Sequence, residues 1–261
     1  MNWQGSKILG PPISRIDALS AAKEFGTGNI DRDYSEDPYG GQFERPPAPI
    51  PRSEWKARIE EIERHGYTSE LLLEEDWKIK NQLQTSLCWS FSTAGSIEAN
   101  RIIAGDQYVS LSPASASGLN GYQDRGGWPT KAARMASERG YVTSLLWPDA
   151  EINSKRDTDA ANKSRARNRV TEWYDLPQGS FDHVFSSLLR RQTCAVGLPW
   201  WGHAVMFCDP MWSAKYGYMV RFANSWGSGW GTHGWGVLTE KECDIGDATC
   251  PRVSMATGES Q

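Results

Sequence analysis

The spacing of apolar residues along the chain changes period about two-thirds of the way through. Trp55, Ile59 and Ile62 fall on one helical face, with Ser53 positioned to cap the start and Gly66 to end it. From Cys88 to Gly105 the residues are small or apolar nearly all round, the pattern of a helix buried on every side. Two further helices are predicted over Thr130 to Arg139, stopped by Gly140, and over Phe181 to Arg191, capped by Ser180. Beyond Arg191 the pattern alternates, and Thr193–Leu198, His203–Cys208, Tyr216–Phe222 and Trp235–Leu238 read as strands. Helices first and strands second predict an α+β fold, a helical subdomain packed against an antiparallel β-sheet subdomain.

Residues 1–50 follow neither period. Pro11, Pro12, Pro38, Pro46, Pro47 and Pro49 punctuate a stretch with few aliphatics, so this segment is expected to be an extended arm. Residues 51–261 then form the folded domain, and no internal repeat is visible.

Composition adds three points. The 261 residues include 13 Trp, which predicts an aromatic core or a cleft with flat apolar walls. The net charge of −4 argues against nucleic acid as a partner, and the Lys/Arg-rich stretch from Lys155 to Arg169 also carries Asp157 and Asp159, so it reads as a solvated loop or helix face. No stretch has the length of apolar sequence that a membrane span needs, and the N-terminus has no signal-like apolar region. The expectation is a soluble protein, cytoplasmic or part of a particle. The five cysteines, Cys88, Cys194, Cys208, Cys243 and Cys250, have no CxxC spacing, which argues against a zinc site. Cys194 and Cys208 read as buried small residues on strands. Cys243 and Cys250 could close a short loop in an oxidising setting.

Cys88 stands where the polar loop from Asn81 to Ser86 turns into the buried helix. Free N–H groups and partial positive charge at a helix N-terminus stabilise a thiolate, the nucleophilic form. On this feature alone an inert small residue fits as well. His203 heads an apolar strand in WWGHAVMF, and Asn224 ends another in RFANSWGSGWG.

With these segments in view, the chain is identified as resembling the papain-like (C1-type) cysteine proteases. NQLQTSLCWSFSTAGSIEA resembles that family's active-site segment, GHAVMF its histidine strand, and ANSWGSGWGTHGWG its asparagine segment; DRGGWP resembles the NGGxP stretch that binds substrate backbone. The four blocks occur in the family's order and span Asn81 to Gly236, about 60% of the chain. The resemblance implies a two-subdomain fold with the active site in the cleft between the subdomains, and thiol peptidase activity on a peptide or protein substrate without cofactor or metal. It implies Cys88 as nucleophile, His203 as its thiolate–imidazolium partner, and Asn224 as the residue orienting His203. Gln82, with the Cys88 backbone N–H, would form the oxyanion hole. Gly126 and Gly127 would take substrate backbone, Trp128 and Pro129 would wall the pocket for the second residue before the cut, and Trp226 would shield the Asn224–His203 bond.

Three departures from the family pattern matter. Thr85, Ser86 and Leu87 replace the family's Cys-Gly-Ser/Ala, so the usual disulfide cannot tie this loop and Leu87 narrows the entrance. Cys88 and His203 are 115 residues apart, against about 130 or more in the family, with the missing length just before His203. The upstream region lacks a long helical inhibitor sequence, so the arm is expected to be either propeptide-like or a docking element for a protein partner. Two alternatives follow: a papain-like binding component of a larger assembly such as a virus particle or secretion machine, and another amide reaction, such as transpeptidation, on the same residues.

Overall fold

The alternating runs of the second half pair into one antiparallel sheet. A computed structural model describes residues 10–40 and 45–252, so the expectations for residues 1–9 and 41–44 lie outside the described residues. Strands β1 (Glu172–Asp175), β2 (Cys194–Leu198), β3 (His203–Ser213), β4 (Gly217–Ala223), β5 (Trp235–Thr239) and β6 (Asp247–Arg252) lie side by side in the order β1-β6-β2-β3-β4-β5. Register places Leu198 opposite His203 and Gly197 opposite both Ala204 and Asp247. A single 3-10 turn, Pro199–Trp201, and Gly202 at φ 60° make the whole β2–β3 connection. That is the short approach to His203 that the sequence predicts.

The helices are α1 (Arg15–Ala21), α2 (Arg52–His65), α3 (Thr68–Glu74), α4 (Cys88–Ile103), α5 (Pro129–Glu138), α6 (Asp159–Arg167) and α7 (Phe181–Leu189). In α4 every residue except Arg101 and Ile103 is buried, because the helix packs on β2, β3 and β6 with one side and on α5 with the other. It therefore runs through the contact between the two halves of the molecule, with Cys88 as its first residue. Trp55, Ile59 and Ile62 of α2 are buried as predicted, but the cap differs. Pro51 holds the cap position and Ser53 sits inside the first turn; a proline suits a helix start because its missing N–H would have had no helical partner. Ser180 does cap α7, its Oγ accepting from the His183 N–H.

Several elements escape the sequence pattern. The arm is not extended throughout: Ser14 caps α1, whose Ala18 is buried. Helix α6 lies in the charged stretch, where Ala161, Ser164 and Arg165 are buried and Arg165 pairs with Asp157. Strand β1 has only four residues and β6 contains Pro251, so neither alternates long enough to be recognised. All five cysteines are unpaired and buried. Cys250 lies on β6, which pairs with β2, and its Sγ donates to Gln192 Oε1; it closes no loop with Cys243.

Candidate active site

Loop, helix and sheet meet at Cys88. The loop before it is short of covalent restraint but dense in hydrogen bonds. Gln82 Nε2 donates to the Thr85 carbonyl at 2.8 Å, and Thr85 Oγ1 donates to the Gln82 carbonyl at 2.7 Å. Thr85 thus closes by hydrogen bonding the loop that a disulfide would otherwise tie. Ser225 Oγ donates to Gln82 Oε1, and Lys80, two residues upstream, is buried in an ion pair with Glu98 of α4 at 2.9 Å. The Ser86 N–H is held by Asp124.

His203 is fully buried at the head of β3. Its Nε2 lies 2.8 Å from Asn224 Oδ1. That oxygen also accepts the Ser225 backbone N–H at 2.8 Å, which fixes which end of the amide faces the ring. An acceptor facing Nε2 requires the proton there, so Nδ1 keeps its lone pair. Nδ1 is buried and has no hydrogen-bond partner. The Trp226 ring stacks on the imidazole at 4.5 Å and Trp201 meets it edge-on at 4.9 Å. Trp226, a residue singled out in the sequence, and Trp201, which was not, therefore flank the imidazole. Trp201, Phe222, Trp226 and Trp230 contact one another, which accounts for part of the tryptophan content.

Gly126, Gly127, Trp128 and Pro129 lie beside this site, and Pro129 starts α5. They are not open to solvent as a bare cleft would be, because the arm lies along them. The Gly26 carbonyl accepts from Gln82 Nε2 at 2.8 Å and from Trp226 Nε1 at 2.9 Å. The Gly28 and Asn29 N–H groups both donate to the Gly202 carbonyl. Gly127 N–H donates to the Gly28 carbonyl and the Ile30 N–H to the Gly127 carbonyl, a parallel bridge. Phe25 stacks on Trp226 at 5.0 Å, and Trp128 Nε1 donates to Asp37. The fit leaves no room for side chains at two arm positions. A Cβ at Gly26 would lie 2.3 Å from the Thr85 carbonyl oxygen, and one at Gly28 would lie 2.3 Å from that of Ser86.

Burial sets the protonation of the pair. Loss of water pushes the Cys88 thiol up to about 12, against the opposing pull of the Ala204, Trp89, Asn29 and Gly28 N–H groups. Burial likewise pulls the His203 imidazole down to about 4, against the Asn224 hydrogen bond. With the arm in place the electrostatics favour a neutral thiol and a neutral imidazole. Between about pH 6.5 and pH 4 the unfolded imidazole takes a proton that the folded one refuses. This contribution to stability is fully present above about pH 6.5 and is lost as the pH falls toward 4. A side-chain NMR titration of the full chain should keep His203 neutral down to about pH 5; a midpoint near 6.5 would contradict the buried neutral tautomer.

The sequence reading missed Arg32, Asp175 and Asp247. Lone acids at Asp175 and Asp247, beside apolar strand positions, were the available signal. Arg32 Nη1 donates to Asp175 at 2.9 Å and to Asp247 at 3.0 Å, with all three side chains buried. Among the described residues no group of three or more His, Cys, Asp or Glu side chains could hold a metal ion, and no helix is long and apolar enough to cross a membrane.

Comparison with known proteins agrees with this architecture. The profile described as papain family cysteine protease matches residues 74–208, just over half the chain. The structure of digestive procathepsin L 3 from the larval midgut of Tenebrio molitor superposes with a TM-score of 0.60 at 19% identity, covering 92% of this chain and 80% of that one. Xylellain, a cysteine protease from Xylella fastidiosa, superposes with a TM-score of 0.64 at 15% identity, covering 88% of this chain and 97% of that one. The bromelain protease of Ananas comosus, solved with the E64 inhibitor, gives 0.57 at 19% identity over 68% of this chain and 94% of that one. At these identities the superpositions speak for the α+β papain fold, and the profile match speaks for the family: the chain belongs to the papain family of cysteine proteases.

Proposed function

We propose that this protein is a thiol peptidase built on Cys88, His203 and Asn224, and that its own N-terminal arm holds it closed. The observation that carries the chemistry is the 2.8 Å contact between His203 Nε2 and Asn224 Oδ1, which leaves Nδ1 as a free base on the strand whose Ala204 N–H faces the Cys88 sulfur. With the arm withdrawn and water admitted, the desolvation that keeps both groups neutral falls away and the thiol proton moves to His203 Nδ1. The thiolate attacks the scissile carbonyl carbon, a C–S bond forms, and the oxyanion is held by Gln82 Nε2 and the Cys88 N–H. The C–N bond breaks as His203 gives its proton to the leaving amine. Water then attacks the thioester: His203 takes one of its protons, the C–S bond breaks and the carboxylic product leaves. Returning the proton to sulfur regenerates the neutral pair. Asn224 keeps the ring oriented, Trp226 covers the hydrogen bond between them, Gly126 and Gly127 take the substrate backbone, and Trp128 and Pro129 wall the adjoining pocket.

The arm is read as propeptide-like because it consumes the groups a substrate would use. Its Gly26 carbonyl occupies the Gln82 amide, and its Gly28 and Ile30 backbone pairs with Gly127. One structural neighbour covering 92% of this chain is itself a pro-form by name. A Gly28→Ala substitution tests the arm directly. The added Cβ would meet backbone of the loop that carries Cys88, which cannot give way as a flexible side chain could. Turnover of a short peptide substrate should rise about tenfold or more over the parent chain, for a docking penalty of about 1.4 kcal/mol or more. Unchanged turnover would count against an arm that blocks the site.

A further inference from the structure

We propose that Asp175 and Asp247 form a specificity pocket for a cationic substrate side chain, which Arg32 of the arm fills while the enzyme is closed. The inference rests on the peptidase reading above and concerns what the same cleft accepts.

The pocket is built by the body of the protein. Asp175 is the last residue of β1 and Asp247 the first of β6. Asp247 lies across from Gly197 in the sheet, and a Cβ at Gly197 would lie 2.4 Å from the Asn29 side chain, which belongs to the arm residue bridged to Gly127. On the other side Asp247 accepts from both the backbone N–H and the hydroxyl of Thr130, the residue after Pro129. The two acids therefore sit behind the Gly127 to Pro129 segment, at the pocket expected to receive the second residue before the cut.

The arm has already seated a cation there. All five N–H donors of Arg32 are used: three go to Asp175 and Asp247, with a bidentate pair on Asp175, and the other two go to the Asp37 and Pro38 carbonyls of the arm itself. Tyr34 and Tyr39, also of the arm, pack against the guanidinium face. When the arm leaves, Asp247 keeps its Thr130 contacts. Asp175 loses Arg32 together with the Gly40 N–H that also binds it. Two neighbouring carboxylates then line a recess without a counter-charge, and a guanidinium or ammonium side chain restores what was lost, whereas an aliphatic one leaves both acids unpaired.

The test uses the full chain carrying Arg32→Ala, so that the arm is weakened and the pocket is free. Peptides identical except at the second residue before the cut, Arg, Lys, Leu or Glu, are compared by kcat/KM. Arg and Lys should exceed Leu by at least tenfold and Glu should be poorest. Adding Asp247→Asn, which keeps the side-chain shape and the Thr130 N–H contact, or separately Asp175→Asn, should lower the kcat/KM ratio of Arg to Leu by at least tenfold. Ready hydrolysis with no preference for Arg or Lys at that position, or a preference that survives both substitutions, would overturn the pocket and leave the peptidase reading standing. No hydrolysis of any peptide and no labelling of Cys88 by a thiol-directed epoxide would overturn both.

Discussion

Replacing Cys88 with alanine is expected to lower peptide hydrolysis by about four orders of magnitude or more, without unfolding the protein. The size follows from the role: in a triad, loss of the nucleophile removes the covalent route and leaves only binding and oxyanion contributions. The fold should tolerate the change because Cys88 is a small buried residue without a disulfide, and its helix is held by other contacts. Lys80–Glu98 and the Gln82–Thr85 hydrogen bonds fix the approach to α4 without the sulfur. The comparison is made in the Arg32→Ala background, where turnover is expected to be measurable, with circular dichroism as the control for folding. Hydrolysis undiminished in the alanine variant would rule out Cys88 as the nucleophile and with it the thiol peptidase reading.

The second large effect is expected at Arg32. Replacing it by alanine leaves Asp175 and Asp247 buried beneath a docked arm with no cation, a situation that costs about 3–5 kcal/mol when one partner of a buried pair is removed. With the arm undocked both acids meet water, so the penalty falls on the closed state alone. That energy corresponds to a shift of about a hundredfold to a few thousandfold from closed toward open. Gly28→Ala acts at the other end of the same strap, through steric conflict instead of charge, and should push in the same direction by less.

Much of the site is legible in the sequence because its chemistry is carried by short segments of fixed order. Cys88 opens α4, His203 heads β3 and Asn224 follows β4, and the buried all-round pattern of α4 signals a helix at the centre of the molecule. Three kinds of information are not local. The arm's few aliphatics suggest an unattached segment, yet it is held along the cleft in part by backbone hydrogen bonds at Gly26, Gly28 and Ile30, which leave no hydrophobic trace in sequence. The pairing of Arg32 with Asp175 and Asp247 joins positions more than a hundred residues apart, so no window of sequence contains it. Strands β1 and β6 are too short, or too interrupted by Pro251, to show alternation; they exist because β2 needs a neighbour on its far edge. Thr85 illustrates a different limit. Its identity announces the loss of a disulfide, while the hydrogen bonds that replace it depend on the loop's folded shape.

The central claim is that Cys88 is the reactive nucleophile and that the arm keeps it from reacting. It is tested most directly by the rate at which a thiol-directed epoxide alkylates the protein at neutral pH, with the modified residue located by peptide mass mapping. Labelling of the parent chain should be slow, because burial holds the thiol protonated. In the Arg32→Ala variant labelling should fall on Cys88 alone and run about a hundredfold faster or more. Equal rates in the two proteins, or labelling that falls on another cysteine, would contradict it.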